Sequence, residues 1–185
     1  MRRYILPLFL LVSPLFAQTP TDERIKQIRA DYAEAQEMVK EQTGENNYMN
    51  WNVRATVHRI EAGVGLVVYE DEYYSLCSSQ GRTPFYRCKR TIDCNKTVSY
   101  FEILYTAEWL PEFYYTKCID GDGSVTEERI YWNLDGTICR STVTGEWAKE
   151  NEKNAYRYAE AVVAKYEHVL SEGLYNEEED DQAED

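Results

Sequence analysis

The stretch CIDGDGSVTEERIYW, Cys118 to Trp132, decides how the middle of this chain is read. FYYTKCI on one side and VTEERIYW on the other alternate like strands, and the Asp-Gly-Asp-Gly between them carries residues that reverse a chain with little strain. If Asp122-Gly123 forms a two-residue type I′ turn, Phe113 faces Trp132, Tyr115 faces Ile130 and Ile119 faces Thr126. The next Asp-Gly, Asp135-Gly136, read the same way, sets Trp132 against Cys139, Ile130 against Ser141 and Glu128 against Val143. Arg129, Tyr131, Arg140 and Thr142 then share the other face, and a slip of one residue would mix the two sets.

Outward from these hairpins the period of two runs from Trp51 to Val143, in a segment rich in Tyr, Val, Ile and Thr. It predicts strands near 51–61, 65–75, 84–94, 97–105, 110–119, 125–134 and 137–143. No helical crossover interrupts them, so successive strands pair antiparallel. Upstream, Thr19-Pro20-Thr21-Asp22 reads as an N-cap with proline at the first helical position, and Gly44 as the stop. Between them Ile25, Ile28, Tyr32, Ala35 and Val39 form an apolar stripe, opposite Lys26, Asp31, Glu34, Glu37 and Glu41. Downstream, a helix from about Gly145 to Ser171 carries Ala155, Tyr158, Ala159, Val162, Tyr166, Val169 and Leu170 on one face and ends before Gly173. The expected fold class is α+β: an antiparallel β-meander of about six to seven strands flanked by an N-terminal and a C-terminal amphipathic helix, in a single domain over 18–173.

Asp120, Asp122, Ser124 and Thr126 also fall at ligand-bearing positions of a twelve-position calcium loop with Gly123 at its turn, and the likeness to an EF-hand loop covers Ile119 to Thr126. Cys118 stands where the first carboxylate belongs, and Arg129 where a bidentate glutamate must close the shell. Strand-like flanks replace the two helices such a loop needs. The segment therefore reads as a turn, Asp120 and Asp122 are the sole metal-ligand candidates, and no cofactor is expected.

The ends carry compartment signals. MRRYILPLFLLVSPLFA, residues 1–17, sets two arginines before an apolar run that stops at Leu-Phe-Ala, the order of a secretory signal peptide. Pro7 and Pro14 interrupt a run already shorter than the roughly 20 apolar residues of a spanning helix, so cleavage after Ala17 is expected, with no membrane insertion afterwards. No cysteine precedes Cys77, so none stands at the cleavage point to take a lipid. The expected location is secreted or periplasmic. Residues 174–185, which include NEEEDDQAED, read as an acidic disordered tail. The net charge of −13, or −15 once Arg2 and Arg3 are removed, repels nucleic acid and anionic lipid.

Few catalytic patterns are present. His58 and His168, the only histidines, read as surface residues, and GxSxG, HExxH and phosphate-cradling glycine loops are all missing. Paired carboxylates need no fixed spacing, so a small exported hydrolase working through two acids stands as the alternative function. The five cysteines, Cys77, Cys88, Cys94, Cys118 and Cys139, include no CxxC pair, which argues against structural zinc, while export favours disulfides and the odd count leaves one thiol over. Cys77 and Cys88 flank SSQGRTPFYR and are the expected bridge, with Cys94 as rival partner. Cys118 and Cys139 fall on opposite faces and should not bond, and Cys139 is expected buried and reduced beside Trp132.

Sixteen tyrosines and four tryptophans remain to be placed. Tyr32, Tyr115 and Tyr158 lie on core-facing periodicities, whereas Tyr69, Tyr73, Tyr74, Tyr114 and Tyr131 are expected to form an exposed ligand-binding row. The first expectation for function is a small exported, non-catalytic binding or interaction protein whose open sheet face or edge engages an envelope or extracellular protein, a peptide or a glycan. A flat aromatic face would favour it, and a deep pocket with two converging acids the hydrolase. Sequencing the N-terminus of natively exported protein should return Gln18 as the first residue, and retention of Met1 to Ala17 would overturn the assignment of compartment.

Overall fold

The computed structural model describes residues 20–41, 51–78, 81–144 and, in the last helix, 152, 154–166 and 168. The expected signal segment, the acidic tail and the predicted ends of the last helix lie outside the described residues. An N-terminal helix α1, Pro20–Glu41, precedes seven strands: β1 Trp51–Glu61, β2 Gly65–Ser78, β3 Gly81–Ile92, β4 Thr97–Tyr105, β5 Pro111–Ile119, β6 Val125–Trp132 and β7 Ile138–Thr144. They form one antiparallel sheet in the order β1-β2-β3-β4-β5-β6-β7, open at both edges. A second helix, α2, runs over 154–166. The α+β meander with two flanking helices is therefore the architecture.

Successive residues of a strand point to opposite faces, and each face has its own helix. Ile25, Ile28, Ala35 and Val39 of α1 pack on Tyr74, Leu76, Phe85, Leu104, Phe113 and Tyr131. On the other face Ala155, Ala159, Val162 and Tyr166 of α2 pack on Tyr73, Tyr86, Ile103, Tyr105, Tyr114, Ile130 and Trp132. The apolar stripes of both helices thus find the partners that their spacing demands. Polar tethers fix their placement: Arg24 to Glu112 at 2.9 Å and Arg140 to Asp22 at 2.7 Å hold α1, and the Tyr105 hydroxyl donates to the Ala159 carbonyl at 2.8 Å to hold α2.

The hairpins differ from the expected type I′ turns. Thr106–Leu110, Asp120–Ser124 and Asn133–Thr137 are the same five-residue loop, in which the first N–H donates to the fifth carbonyl and the fourth N–H to the first carbonyl, all at 2.8–3.0 Å. The fourth residue, Trp109, Gly123 or Gly136, has φ of 67°, 86° or 79°. This is a type I turn closed by one left-handed residue, whereas type I′ would also need positive φ at Asp122 and Asp135, which remain in the ordinary region. The β5–β6 register consequently moves by one: Phe113 faces Tyr131, Tyr114 faces Ile130, Tyr115 faces Arg129 and Ile119 faces Val125. Between β6 and β7 an irregularity at Tyr131/Trp132 recovers the residue, so Ile130 faces Ser141 and Glu128 faces Val143 as expected, while Trp132 faces Ile138.

These registers correct the cysteine assignments. Cys88 pairs with Asp71, six residues before Cys77 on β2, which places the two cysteines about 20 Å apart along the strands, against the roughly 4.4–6.8 Å a disulfide allows. No disulfide links any of the described cysteines. Cys94 is exposed in the β3–β4 turn beside Gly65, at the end of the β2–β3 ribbon opposite Cys77. Cys139 is half-buried on the α1 face with its Sγ 3.7 Å from the Thr21 carbonyl, not beside Trp132, because the β6–β7 irregularity turns it over. Cys118 lines the α2 face, so the two do lie on opposite sides of the sheet.

One glycine is required by space, not by φ. A Cβ on Gly121 would sit 2.1 Å from the Asn95 carbonyl oxygen, where the β5–β6 loop meets the β3–β4 turn. Gly63 has φ of 76° with open space around it. Gly121→Ala should therefore cost about 2–3 kcal/mol in urea unfolding by forcing two backbones apart, and Gly63→Ala only about 1 kcal/mol of backbone strain.

Candidate functional site

Among the described residues, the helices leave one end of each face of the sheet uncovered. On the α1 side that end is a ladder of opposite charges in register. Arg54 pairs with Glu72 at 3.0 Å, Arg87 with Glu102 at 3.1 Å and Lys89 with Glu70 at 2.8 Å, while Arg129 lies 2.9 Å from Glu127 and 5.0 Å above the Tyr115 ring. Tyr32 and Gln36 of α1 both donate to the Glu102 carboxylate. Every charge named there has a partner.

On the α2 side the uncovered end is a cleft of about 660 Å³. Strand alternation sets its floor in rows: Phe101, Thr116 and Glu128, then Tyr69, Arg90, Ser99, Cys118 and Thr126, then Ile92, Thr97 and Asp120. Asn154, Ala155 and Tyr158 of α2 form the wall. Short hydroxyl side chains at Thr97, Ser99, Thr116 and Thr126 leave the volume open where β4, β5 and β6 run side by side. The Tyr158 ring lies 6.1 Å from Phe101, giving the cleft an aromatic flank.

Two buried carboxyls stand at opposite ends of one row. Asp71 accepts from the Tyr86 hydroxyl at 2.8 Å and from Lys165 Nζ of α2 at 3.1 Å, so its charge is met. Glu128, 2 % exposed, has neither Oε1 nor Oε2 hydrogen-bonded. Burial, with repulsion from Glu152 second, pushes its carboxyl up to about 7. Its register partner on β5, Thr116, brings no charge. An unsatisfied acceptor pair in the floor of a cleft is unfavourable for folding alone and suits a ligand that brings donors.

The other acids behave differently. Asp120 Oδ1 accepts from Thr97 Oγ1 at 3.3 Å and Oδ2 from Ser124 Oγ at 3.2 Å, and Asp122 accepts the Ser124 N–H at 2.8 Å, which with the Ser124 side chain lowers the Asp122 carboxyl below its usual range. Both serve the β5–β6 turn, the role read from DGDG. Among the described residues no group of three or more His, Cys, Asp or Glu is arranged to hold a metal. Glu112, on the α1 face, is raised to about 6 by burial despite Arg24 beside it.

The expected tyrosine row does not form. Tyr73 and Tyr114 are buried under α2, and Tyr74 and Tyr131 are buried under α1, so the five residues lie on both faces and four are core. Tyr69 alone is half-buried at the cleft, donating to Glu61 at 2.8 Å between the guanidiniums of Arg59 and Arg90. Tyr114 reaches the cleft as part of its inner edge. No family model, curated protein or solved structure matches the chain. Glu128 did leave a signal in the sequence: it falls in phase with Ile130 and Trp132, a carboxylate on the core-facing side of a strand.

The raised carboxyl has a consequence for stability. A folded-state value near 7, against 4.5 for the ordinary glutamate, means the folded chain holds the proton more tightly than the unfolded one. Stability from this group is present below about 4.5 and is lost as pH rises to about 7. Glu128→Gln should match the parent at pH 4.5 and exceed it by about 2–3 kcal/mol at pH 8, measured by denaturant unfolding.

Proposed function

We propose that the chain is a small exported binding protein, without a catalytic role, that takes a small polar ligand or an exposed part of a glycan, peptide or protein in the cleft between its sheet and α2. The observation that carries this reading is Glu128, buried in the cleft floor with both carboxylate oxygens unpartnered. Ligand sites commonly enclose about 300–1,000 Å³ and combine apolar walls with a few convergent polar groups, and the cleft has both the volume and the mixture. Export to the periplasm or the medium rests on the signal-like residues 1–17. No described helix is long and apolar enough to cross a membrane, and the acidic charge of −13 disfavours nucleic acid as a partner.

A hydrolase using two carboxylates draws less support from the cleft. Among the described lining residues the acids are Glu128, opposite Thr116, and Asp120, four residues beyond Thr116 or about 13 Å along the strand, so the acid that could pair with Glu128 is Glu152, whose charge already raises it. Glycosidase pairs stand about 5–9.5 Å apart, and Asp120 is already held in its turn.

A thermal-shift screen of glycans, short peptides and small polar metabolites should find a ligand that raises Tm by about 5–10 °C at a hundredfold excess over Kd. Thr126→Trp, which fills the cleft, should abolish that shift. Hits that stabilise the blocked variant equally, or none at all, would remove the reading. Turnover of a hit, lost in Glu128→Gln or Glu152→Gln, would replace it with the hydrolase.

A further inference from the structure

We infer that the cleft accepts a small organic cation, an ammonium or amidinium group on an apolar body, whose charge meets Glu128 on the cleft floor. This rests on the cleft being a ligand site and adds the ligand's chemistry. Glu128 presents two acceptors, and an ammonium offers three donors on a positive charge, enough to satisfy both oxygens at once. A neutral hydroxyl brings one donor and no charge. The buried carboxylate therefore discriminates by charge before it discriminates by shape.

Among the described residues, the groups that face Glu128 leave its charge unanswered. From the last helix come Glu152, Asn154 and Tyr158, and from β5 Tyr114 and Thr116. Among the described lining residues the cation is Arg90, at the far end of the next row, three strands away on β3, where it lies 3.3 Å from Glu61 and 5.7 Å from the centroid of the Tyr69 ring. The Glu152 charge adds to Glu128 and does not neutralise it. The aromatic flank of Phe101 and Tyr158 offers ring faces that attract cations, and the acidic surface draws them inward. Near pH 7 the empty site is part-protonated, so a cation must displace a proton to bind, whereas a neutral ligand gains nothing from that loss.

The test uses matched probes on the full chain: benzylammonium against benzyl alcohol, and cyclohexylammonium against cyclohexanol, titrated by NMR at pH 6 and pH 8. Each ammonium should shift the amides around Thr116 and Glu128 and bind at least about tenfold more tightly than its alcohol at pH 8. Its affinity should rise about tenfold from pH 6 to pH 8 as Glu128 loses its proton. Glu128→Gln should erase both the preference and the pH dependence while keeping its unfolding transition, and Thr126→Trp should block all four probes with the carboxylate intact. Alcohols that match their ammonium partners, or affinities flat with pH, would overturn the cation inference and leave the cleft as a neutral-ligand site. Shifts absent from the cleft with every probe would also overturn it, and the thermal screen then decides the broader reading separately.

Discussion

A single left-handed residue at the fourth position of each hairpin loop governs this molecule. Trp109, Gly123 and Gly136 occupy that position in three successive connections; at β5–β6 the loop offsets the whole register by one from a two-residue turn, whereas irregularities at Leu104/Tyr105 and Tyr131/Trp132 take up the extra residue in the other two. Because side chains alternate, that offset decides which helix a residue meets. Tyr114 goes to α2 and Phe113 to α1 for this reason, and Glu128 falls beneath α2 beside Thr116 instead of joining the charge ladder on the opposite face. Tryptophan at the β4–β5 position is the costly case, since its Cβ disfavours positive φ. Edge-on contact with Tyr166 of α2 at 5.4 Å offsets that strain by holding the ring in the core.

The number of strands, their order and the two helical stripes were legible because each rests on a local period. Ile25, Ile28, Ala35 and Val39 are buried as their spacing requires, and the six connections are too short for anything but antiparallel neighbours. Register was less legible. An Asp-Gly pair is compatible with either turn geometry, and the difference is the sign of one φ at Asp122 or Asp135, which the residue type leaves open. From that one ambiguity followed the mispairing of Tyr115 with Ile130 and of Cys139 with Trp132, although Tyr115 packs against a core cluster as its period requires. The tyrosine row failed for another reason: Tyr73 and Tyr74 are adjacent, so they cannot share a face, and a sheet covered by a helix on each side buries both. The Cys77–Cys88 bridge assumed a wide turn near Pro84, but β2 and β3 continue to Ser78 and Gly81.

The two uncovered ends of the sheet show how the same problem is met in two ways. On the α1 side, Arg and Glu alternate across strands so that every carboxylate named has a cation, an arrangement that a solvated surface tolerates at little cost. On the α2 side, Asp71 has Lys165 and Tyr86, but the same row ends in a carboxyl with nothing. A sheet that can pair its charges so thoroughly elsewhere makes the exception informative. The disparity is local to the cleft, where small hydroxyl residues also keep the space open.

The linear strand order sets the sequence of assembly. Each strand pairs with its predecessor across a short loop, so the sheet can grow hairpin by hairpin with little loop-closure entropy at each step. The helix α1 is made first, yet its anchors are Glu112 and Arg140, 88 and 118 residues away from Arg24 and Asp22. Its apolar stripe must therefore wait until β5 and β7 exist, and until then the growing chain carries an uncovered sheet face and an unpartnered helix together. A nascent chain of this design depends on a holding factor, or on rapid completion, more than its simple topology suggests.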